Sequence, residues 1–302
     1  MTEQDTDSID AADPRKPAAG PMKWPAGLYI LATPIGNAGD ITLRGLELLR
    51  AADAIACEDT RVTAKLLAIH GVSAGGRLTA YHDHNGDRVR PQILARIAAG
   101  EAVALVSDAG TPLISDPGYK LARAVIEAGH PVVPLPGASA LLAALAVAGL
   151  PTDRFLFAGF LDAKSAARRA DLRGLATVQA SLVFYESGPR LAASLEDMAA
   201  VLGPRPAVVA RELTKRFETV LRGSLPELAA RFEAGEEARG EIVVVVGPPS
   251  ADAPAELLDL DALLAKALEE APLKSAVADV TAATGLPRKT VYAAALRLRG
   301  DG

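Results

Sequence analysis

Residues Val103 to Ser139 read VALVSDAGTPLISDPGYKLARAVIEAGHPVVPLPGAS, and this stretch decides the fold. An apolar run, Val103 to Val106, breaks into a loop of Ser, Asp, Gly and Pro. A helix-like segment follows from Tyr119 to Ala128, then a second apolar run, Val132 to Leu135, which ends in another Pro-Gly turn. Strand, loop, helix, strand, loop is the pattern of a βαβ unit in a parallel sheet. Ligands of such sheets bind beyond the carboxyl ends of the strands, where both loops fall. Asp108, Ala109, Gly110, Thr111, Pro136 and Gly137 are therefore the first candidates for contact with a ligand.

The same pattern repeats upstream. Leu28 to Ala32 is a predicted strand that runs into TPIGNAGD, Thr33 to Asp40, with Asp40 placed to cap a helix carrying Leu43, Leu46 and Leu49. Asp53 to Cys57 is a second strand ending in Glu58-Asp59-Thr60-Arg61, followed by a helix from Thr63 to His70. Leu78 to Tyr81 is a third strand, ending in HDHNGDR, His82 to Arg88. Polar loops at strand ends are common simply because they are exposed. Five on one edge of one sheet are more telling, because the topology sets them side by side. No G-x-G-x-x-G follows the first strand and no G-x-x-x-x-G-K-[ST] occurs, which excludes the usual dinucleotide and phosphate-loop signatures. His82 and His84 alternate in their loop, but two histidines and no cysteine cluster make a poor metal set, so none is expected.

Beyond Pro151 the texture changes. Predicted strands are Phe155 to Phe160, Ser181 to Tyr185, Ala207 to Arg211, Thr219 to Arg222 and Ile242 to Val246, the last so apolar that it belongs in the centre of its sheet. Helices are predicted at Lys164 to Arg173 and Leu191 to Leu202. With fewer helices between strands, a mixed sheet in an α+β domain is expected. The expected organisation is a disordered polar tail over 1–26, an α/β domain over 27–137, an α+β domain over 138–248, and a linker with a helical tail over 249–302. In that tail Thr284-Gly285-Leu286-Pro287 separates two helices, a spacing that resembles a helix-turn-helix.

The 302 residues are enough for two well-buried cores. One cysteine, Cys57, precludes an internal disulfide and fits a reducing, cytoplasmic compartment. The amino-terminal residues lack an apolar segment of the secretory type. The longest uncharged stretch, Pro131 to Thr152, is broken by prolines and reads as turns around a buried helix, Ala138 to Leu150, so no membrane span is expected. The net charge of −5 argues against indiscriminate nucleic-acid binding. The charge is uneven, however: 251–271 is acidic, whereas 272–300 carries Lys274, Arg288, Lys289, Arg297 and Arg299 against Asp279.

LYILATPIGNAGDIT, EDTR, HDHN, VSDAGTPLISDPG, PLPGASA, GLPTDRFLFAGFL, FYESGPR, ARELTK and GEIVVVVG are similar, in order, to the motifs of the ribosomal RNA small-subunit methyltransferase I family. That family lies within the tetrapyrrole (corrin/porphyrin) methylase superfamily. The resemblance spans about Gly27 to Gly247 and extends to the helical tail. It implies a two-domain, class III methyltransferase fold: a parallel-sheet α/β domain, a mixed-sheet domain and a helical C-terminus. It further implies S-adenosylmethionine as methyl donor, a donor site in the cleft between domains, and a homodimer. The implied acceptor is the 2′-hydroxyl of a cytidine in the decoding region of 16S ribosomal RNA, within the small ribosomal subunit.

By the same resemblance, the donor site takes Pro34, Gly36 and Asn37 after the first strand, then Ser107, Asp108, Ala109, Gly110 and Thr111, continuing to Asp116, Pro117 and Gly118. Pro136 and Gly137 follow, and Phe184, Tyr185 and Glu186 supply a wall from the second domain. Gly188-Pro189 departs from the family pattern and leaves the shape of that loop open. Methyl transfer from a sulfonium is mostly positioning, and a ribose hydroxyl gains from a base or an orienting acceptor. Asp59 or Glu58 is expected in that role, with Arg61 placing a phosphate; the alternative is a purely structural ion pair shaping the loop. Arg88, Lys164, Arg168, Arg169, Arg190, Lys215, Arg216, Arg288 and Lys289 are the expected RNA contacts. Neutralising Arg168 and Arg169 together is expected to flatten the salt dependence of binding. Aromatics make up only 4% of the chain, so recognition of shape is expected over base stacking. Two rival readings are a methylase of a tetrapyrrole using the same donor site, and a non-catalytic RNA-binding module.

Overall fold

The structure, a computed structural model, describes residues 23–82, 84–114, 118–249, 260–284 and 287–299. The tail over 1–22, the linker over 250–259, and Asp83, Asp116, Pro117, Gly285 and Leu286 lie outside the described residues. The chain divides into two compact units after Ser139.

The first unit runs β1 (Gly27–Leu31), α1 (Leu43–Ala51), β2 (Ala54–Cys57), α2 (Thr60–Ile69), β3 (Leu78–Ala80), α3 (Gly86–Ala98), β4 (Ala102–Val106), α4 (Tyr119–Glu127) and β5 (Val132–Leu135). The strands lie in the order β3-β2-β4-β1-β5, and every pairing is parallel. Alternation divides each strand between two cores. Tyr29, Leu31, Ile55, Cys57, Ala104 and Val106 pack with Leu48, Leu49 and Leu67 of α1 and α2. Leu28, Ala54, Ala56, Val103 and Leu105 pack with Ile93, Ile97, Leu121 and Val125 of α3 and α4. This layering follows from the right-handed crossover rule. The steps β1→β2→β3 move toward one sheet edge and put their helices on one face. The steps β3→β4→β5 move the other way and put theirs on the opposite face. The chain therefore diverges from the neighbouring carboxyl ends of β1 and β4, which opens a crevice there.

Three local details differ from the sequence expectation. Trp24, assigned to the tail, is buried edge-to-face against Tyr29 at 5.2 Å. Asp40 does not cap α1: the Thr42 hydroxyl accepts from the Gly45 amide at 3.0 Å, while Asn37 starts a single 3₁₀ turn over Ala38–Asp40. The second helix begins three residues early, at Thr60, because the Asp59 side chain caps it.

The second unit holds α5 (Ala140–Ala148), β6 (Phe155–Phe160), α6 (Ser165–Leu175), β7 (Ser181–Ser187), α7 (Gly188–Leu202), β8 (Pro206–Arg211), β9 (Thr219–Ser224), α8 (Leu225–Glu233) and β10 (Glu241–Val246). The strand order β6-β7-β10-β8-β9 places the most apolar strand in the middle, as its composition predicts. Only β6 and β7 pair in parallel, so the sheet is mixed. One face is covered by α6, α7 and α8 over Leu182, Phe184, Val209, Ile242 and Val244. On the other face Arg222, beside Val208, donates to the last carbonyls of α5. Uniformly apolar as it is, α5 is buried on one side only: Leu141 and Leu145 are inside, and Leu142 is exposed. Helix α8 goes unpredicted, although Ser224 and Glu227 form a complete capping box that the spacing S-x-x-E announces.

The C-terminal helices are α9 (Leu260–Glu270), α10 (Leu273–Thr284) and α11 (Arg288–Arg299). They close on a small core of Leu264, Val277, Val280, Val291, Ala294 and Ala295. Among the described residues, no helix is long and apolar enough to cross a membrane.

Candidate functional site

The loops leaving β1, β4 and β5 are stitched together by hydrogen bonds that strand periodicity does not foretell. Thr33 and Gly110 form an isolated antiparallel bridge, each amide donating to the other's carbonyl at 2.9 Å. The Thr33 hydroxyl donates to the Ser107 carbonyl at 3.1 Å, and the Ser107 hydroxyl to the Gly110 carbonyl at 2.9 Å. Thr111 extends the seam, its hydroxyl donating to the Ala138 carbonyl at 3.0 Å. Gly110 has φ +81, and a Cβ there would sit 3.3 Å from Ile35. A Cβ on Gly137 would meet that of Ala32 at 2.9 Å. These two glycines let the backbones after β1, β4 and β5 approach one another. Leu113, at φ +73, adds strain to the β4 loop, a conformation that persists where surrounding contacts over-determine it.

The surface so made is mostly main chain. Gly36, Asn37, Ala109, Pro136 and Gly137 are exposed on it, Pro34, Asp108 and Thr111 are half-buried, and Ser107 and Gly110 lie beneath. Among the described residues, the amides of Ala109 and Thr111 find no acceptor in the protein. Unpaired amides around a tight turn form a concavity suited to a carboxylate. Asn37 is a loop-former, its side chain accepting from the Gly39 amide at 3.0 Å.

The β2 loop is tied to the same place. Asp108 accepts from the Asp59 amide at 3.0 Å. Asp59 accepts from the Arg61 amide at 2.8 Å and from its guanidinium at 2.6 Å. These side-chain and backbone hydrogen bonds from Arg61 hold the Asp59 carboxyl down at about 2. A carboxylate that takes a proton only near pH 2 is a weak general base, so the geometry makes Asp59 a loop anchor and helix cap. Glu58 beside it is half-buried. Exchanging Asp59 for Asn keeps a good helix cap. Single-turnover rates of Asp59→Asn are therefore expected to follow the wild-type pH profile between about pH 5 and 9. A flattened acidic limb would show instead that Asp59 titrates in that range. The associated stability has the sign of a lowered carboxyl: it is complete above the ordinary value of 3.8 and is lost as pH falls toward 2. After β3, Asn85 donates to the Ala80 carbonyl and accepts from the His82 amide, leaving Arg88 exposed on the first turn of α3. Among the described residues, no three metal-ligating side chains come together.

In the second unit, several expected ligand residues are internal. The Phe184 side chain is fully buried in the core under α6–α8. Glu186 is buried too, accepting from Ser194 at 2.6 Å and the Ser187 amide at 2.8 Å, with Arg190 alongside at 3.4 Å. Tyr185 points to the opposite face, 4.8 Å from Phe157 and 5.7 Å from Phe160. A bulge with Gly159 at φ +66 turns Phe157 and Phe160 to that one face, where regular alternation would separate them.

The basic candidates divide likewise. Arg168 is only 3% exposed. It donates to Asp197 at 2.7 Å and to the carbonyls of Asp162, Ala163 and Ala193. Its neighbour Arg169, half-buried, pairs with the same carboxylate. Arg190 donates to the Leu161 carbonyl, and Lys215 bridges Glu212 at 2.9 Å and Glu241 at 3.0 Å. Arg168 thus corrects the expectation of a solvent-facing basic helix: a sequence shows that a side chain is charged, not whether an acid on the next helix has drawn it inside. Lys164, Arg216, Arg288 and Lys289 are exposed.

Comparison with known proteins agrees with this architecture. The family profile of Tetrapyrrole (Corrin/Porphyrin) Methylases matches residues 27–229, and one described as the RsmI C-terminal HTH domain matches 254–299. A protein of Mesorhizobium japonicum named ribosomal RNA small subunit methyltransferase I is 49% identical over 91% of this chain and 95% of its own. A protein of that name from Erythrobacter litoralis is 53% identical over 90% of this chain and 95% of its own. Uroporphyrin-III C-methyl transferase from Thermus thermophilus, solved in complex with S-adenosylhomocysteine, shares the fold with a TM-score of 0.50 and 22% identity, over 73% of this chain and 97% of its own. The chain belongs to the tetrapyrrole (corrin/porphyrin) methylase family, in its ribosomal RNA small subunit methyltransferase I branch.

Proposed function

We propose that this protein transfers a methyl group from S-adenosylmethionine to the ribose 2′-hydroxyl of a cytidine in 16S ribosomal RNA. It does so as a cytoplasmic homodimer acting on the small ribosomal subunit. The observation that carries the reading is the Thr33–Gly110 bridge. It fuses the loops after β1 and β4 into one main-chain surface at the switch point, where α/β sheets hold ligands.

The donor, when bound, supplies an electrophilic sulfonium methyl. The surface fits its chemistry: the free amides of Ala109 and Thr111 suit its carboxylate. A surface without a phosphate-binding signature suits a nucleoside that carries no phosphate. The work of the protein is then to hold the acceptor oxygen in line and exclude water. Asp59 fixes Arg61 against the mouth of the β2 loop, where the exposed guanidinium meets a backbone phosphate. Glu58, at the same strand end, is the carboxylate we assign to orient the 2′-hydroxyl and accept its proton.

The test uses donor labelled in its methyl group, offered with small subunits, with bare 16S RNA or with a precorrin. Label in a 2′-O-methylcytidine after nuclease digestion is expected. Label on a base, or only on the tetrapyrrole, would overturn the reading. Gly110→Val should abolish donor binding by calorimetry, since the branched side chain meets Ile35 at a left-handed backbone.

A further inference from the structure

The turn between β8 and β9, residues 212–218, carries backbone strain. Glu212 and Thr214 both adopt left-handed backbone, at φ +53 and +66, and Thr214 is β-branched. Such strain persists only where neighbours over-determine it, and it clusters at functional sites. The neighbours here are specific. The Glu212 amide donates to the Glu241 carbonyl at 3.0 Å, and the Glu212 carboxylate accepts from the Glu241 amide at 3.0 Å. That carboxylate lies where a side chain on Gly240 would be, 2.2 Å from the missing Cβ. Lys215 clamps Glu212 to Glu241, and the Thr214 amide donates to Glu218 at 2.7 Å.

All of this holds two side chains outside the protein. Phe217 is 68% exposed, the second most exposed large hydrophobic residue after Leu43 among those described. The Arg216 guanidinium lies over its ring at 5.5 Å. Among the described residues Arg216 has no carboxylate partner, whereas Lys215, Arg211 and Arg239 around it all do. A strained turn that displays an aromatic face beside a cation without an ion-pair partner has the two elements that hold single-stranded nucleic acid: a stacking surface and a phosphate neutraliser.

We propose that the β8–β9 turn is a base-stacking finger, on which Phe217 takes the face of an unpaired nucleobase of the substrate RNA and Arg216 a neighbouring phosphate. The proposal rests on the RNA reading above and names a contact that sets the register of the strand. It also revises the expectation drawn from a 4% aromatic content, because what matters for stacking is where the rings stand.

The experiment compares wild type, Phe217→Ala, Phe217→Trp and Arg216→Gln in methyl transfer to small ribosomal subunits, with donor affinity, melting temperature and sedimentation measured alongside. Phe217→Ala should raise KM for the subunit about 5- to 100-fold, while Phe217→Trp stays near wild type. Arg216→Gln should lower the slope of log affinity against log salt by about one. Donor affinity and melting temperature should not move. An unchanged KM in Phe217→Ala would overturn the finger while leaving the RNA reading intact. Wild type that methylates no RNA would overturn both. Dissociation of a wild-type dimer by Phe217→Ala would assign the ring to a second copy of the chain instead.

Discussion

Gly188→Ala is expected to lower the melting temperature by roughly 6–12 °C, the effect of losing about 3 kcal/mol in a protein of this size. Gly188 opens α7 directly after β7 ends at Ser187, with no residue between them. A Cβ there would lie 1.5 Å from the Ala238 carbonyl oxygen and 2.7 Å from its carbon. Both are backbone atoms, so no side chain can swing aside, and the segment before β10 would have to move bodily. Gly174, within α6, is the matched control, because a Cβ there meets nothing within 4 Å. Gly174→Ala should stabilise by about 0.5–1 kcal/mol through helix propensity alone. Differential scanning calorimetry decides the matter, and a Gly188→Ala melt within about 2 °C of wild type would mean that the Ala238 segment yields at little cost.

Asp197→Ala should cost about 3–5 kcal/mol, the usual penalty for removing one partner of a buried pair. Asp197 is 2% exposed and accepts from Ser165 at 3.0 Å, from Arg168 at 2.7 Å and from Arg169. Without it the Arg168 guanidinium stays inside, with only carbonyls of Asp162, Ala163 and Ala193 to face. Burial alone would raise the Asp197 carboxyl, but hydrogen bonds from Arg169, Ser165 and Arg168 more than offset it and leave it lowered. The stability it confers is therefore complete above the ordinary 3.8 and fades as pH falls through the lowered value. Chemical denaturation should show the loss at neutral pH and a smaller gap between variant and wild type in acid. Equal stability of the two proteins at pH 7 would refute the structural role. It follows that Arg168 and Arg169 should not be neutralised together to probe RNA binding. The Arg168 part would read out as unfolding, Arg169 shares the same buried carboxylate, and Lys164→Gln is the cleaner probe.

Much of the fold was legible because a strand buried on both faces reads as an unbroken apolar run. Val103 to Val106 and Ile242 to Val246 mark the interiors of their two sheets for that reason. The switch-point loops were legible because Gly and Pro mark tight turns. What misled the reading was local competition for caps, with Thr42 in place of Asp40 and Asp59 capping α2 three residues early. The departure from family pattern at Gly188-Pro189 proves to be a strand that passes straight into a helix, a junction that only a residue without a side chain allows.

By itself the sequence determined the order of the strands in the chain, the central place of Ile242 to Val246 in its sheet, and which loops share an edge, since each follows from hydrophobic period and turn chemistry. Only the tertiary structure decided what each polar side chain does there. It turned Ser107 inward onto Gly110, closed Asp59 upon Arg61, drew Arg168 under the surface to Asp197, and left Phe217 and Arg216 outside on a strained turn. The physical reason is that a charge or hydroxyl acts through partners within about 3 Å, and those partners lie 1 to 75 residues away along the chain.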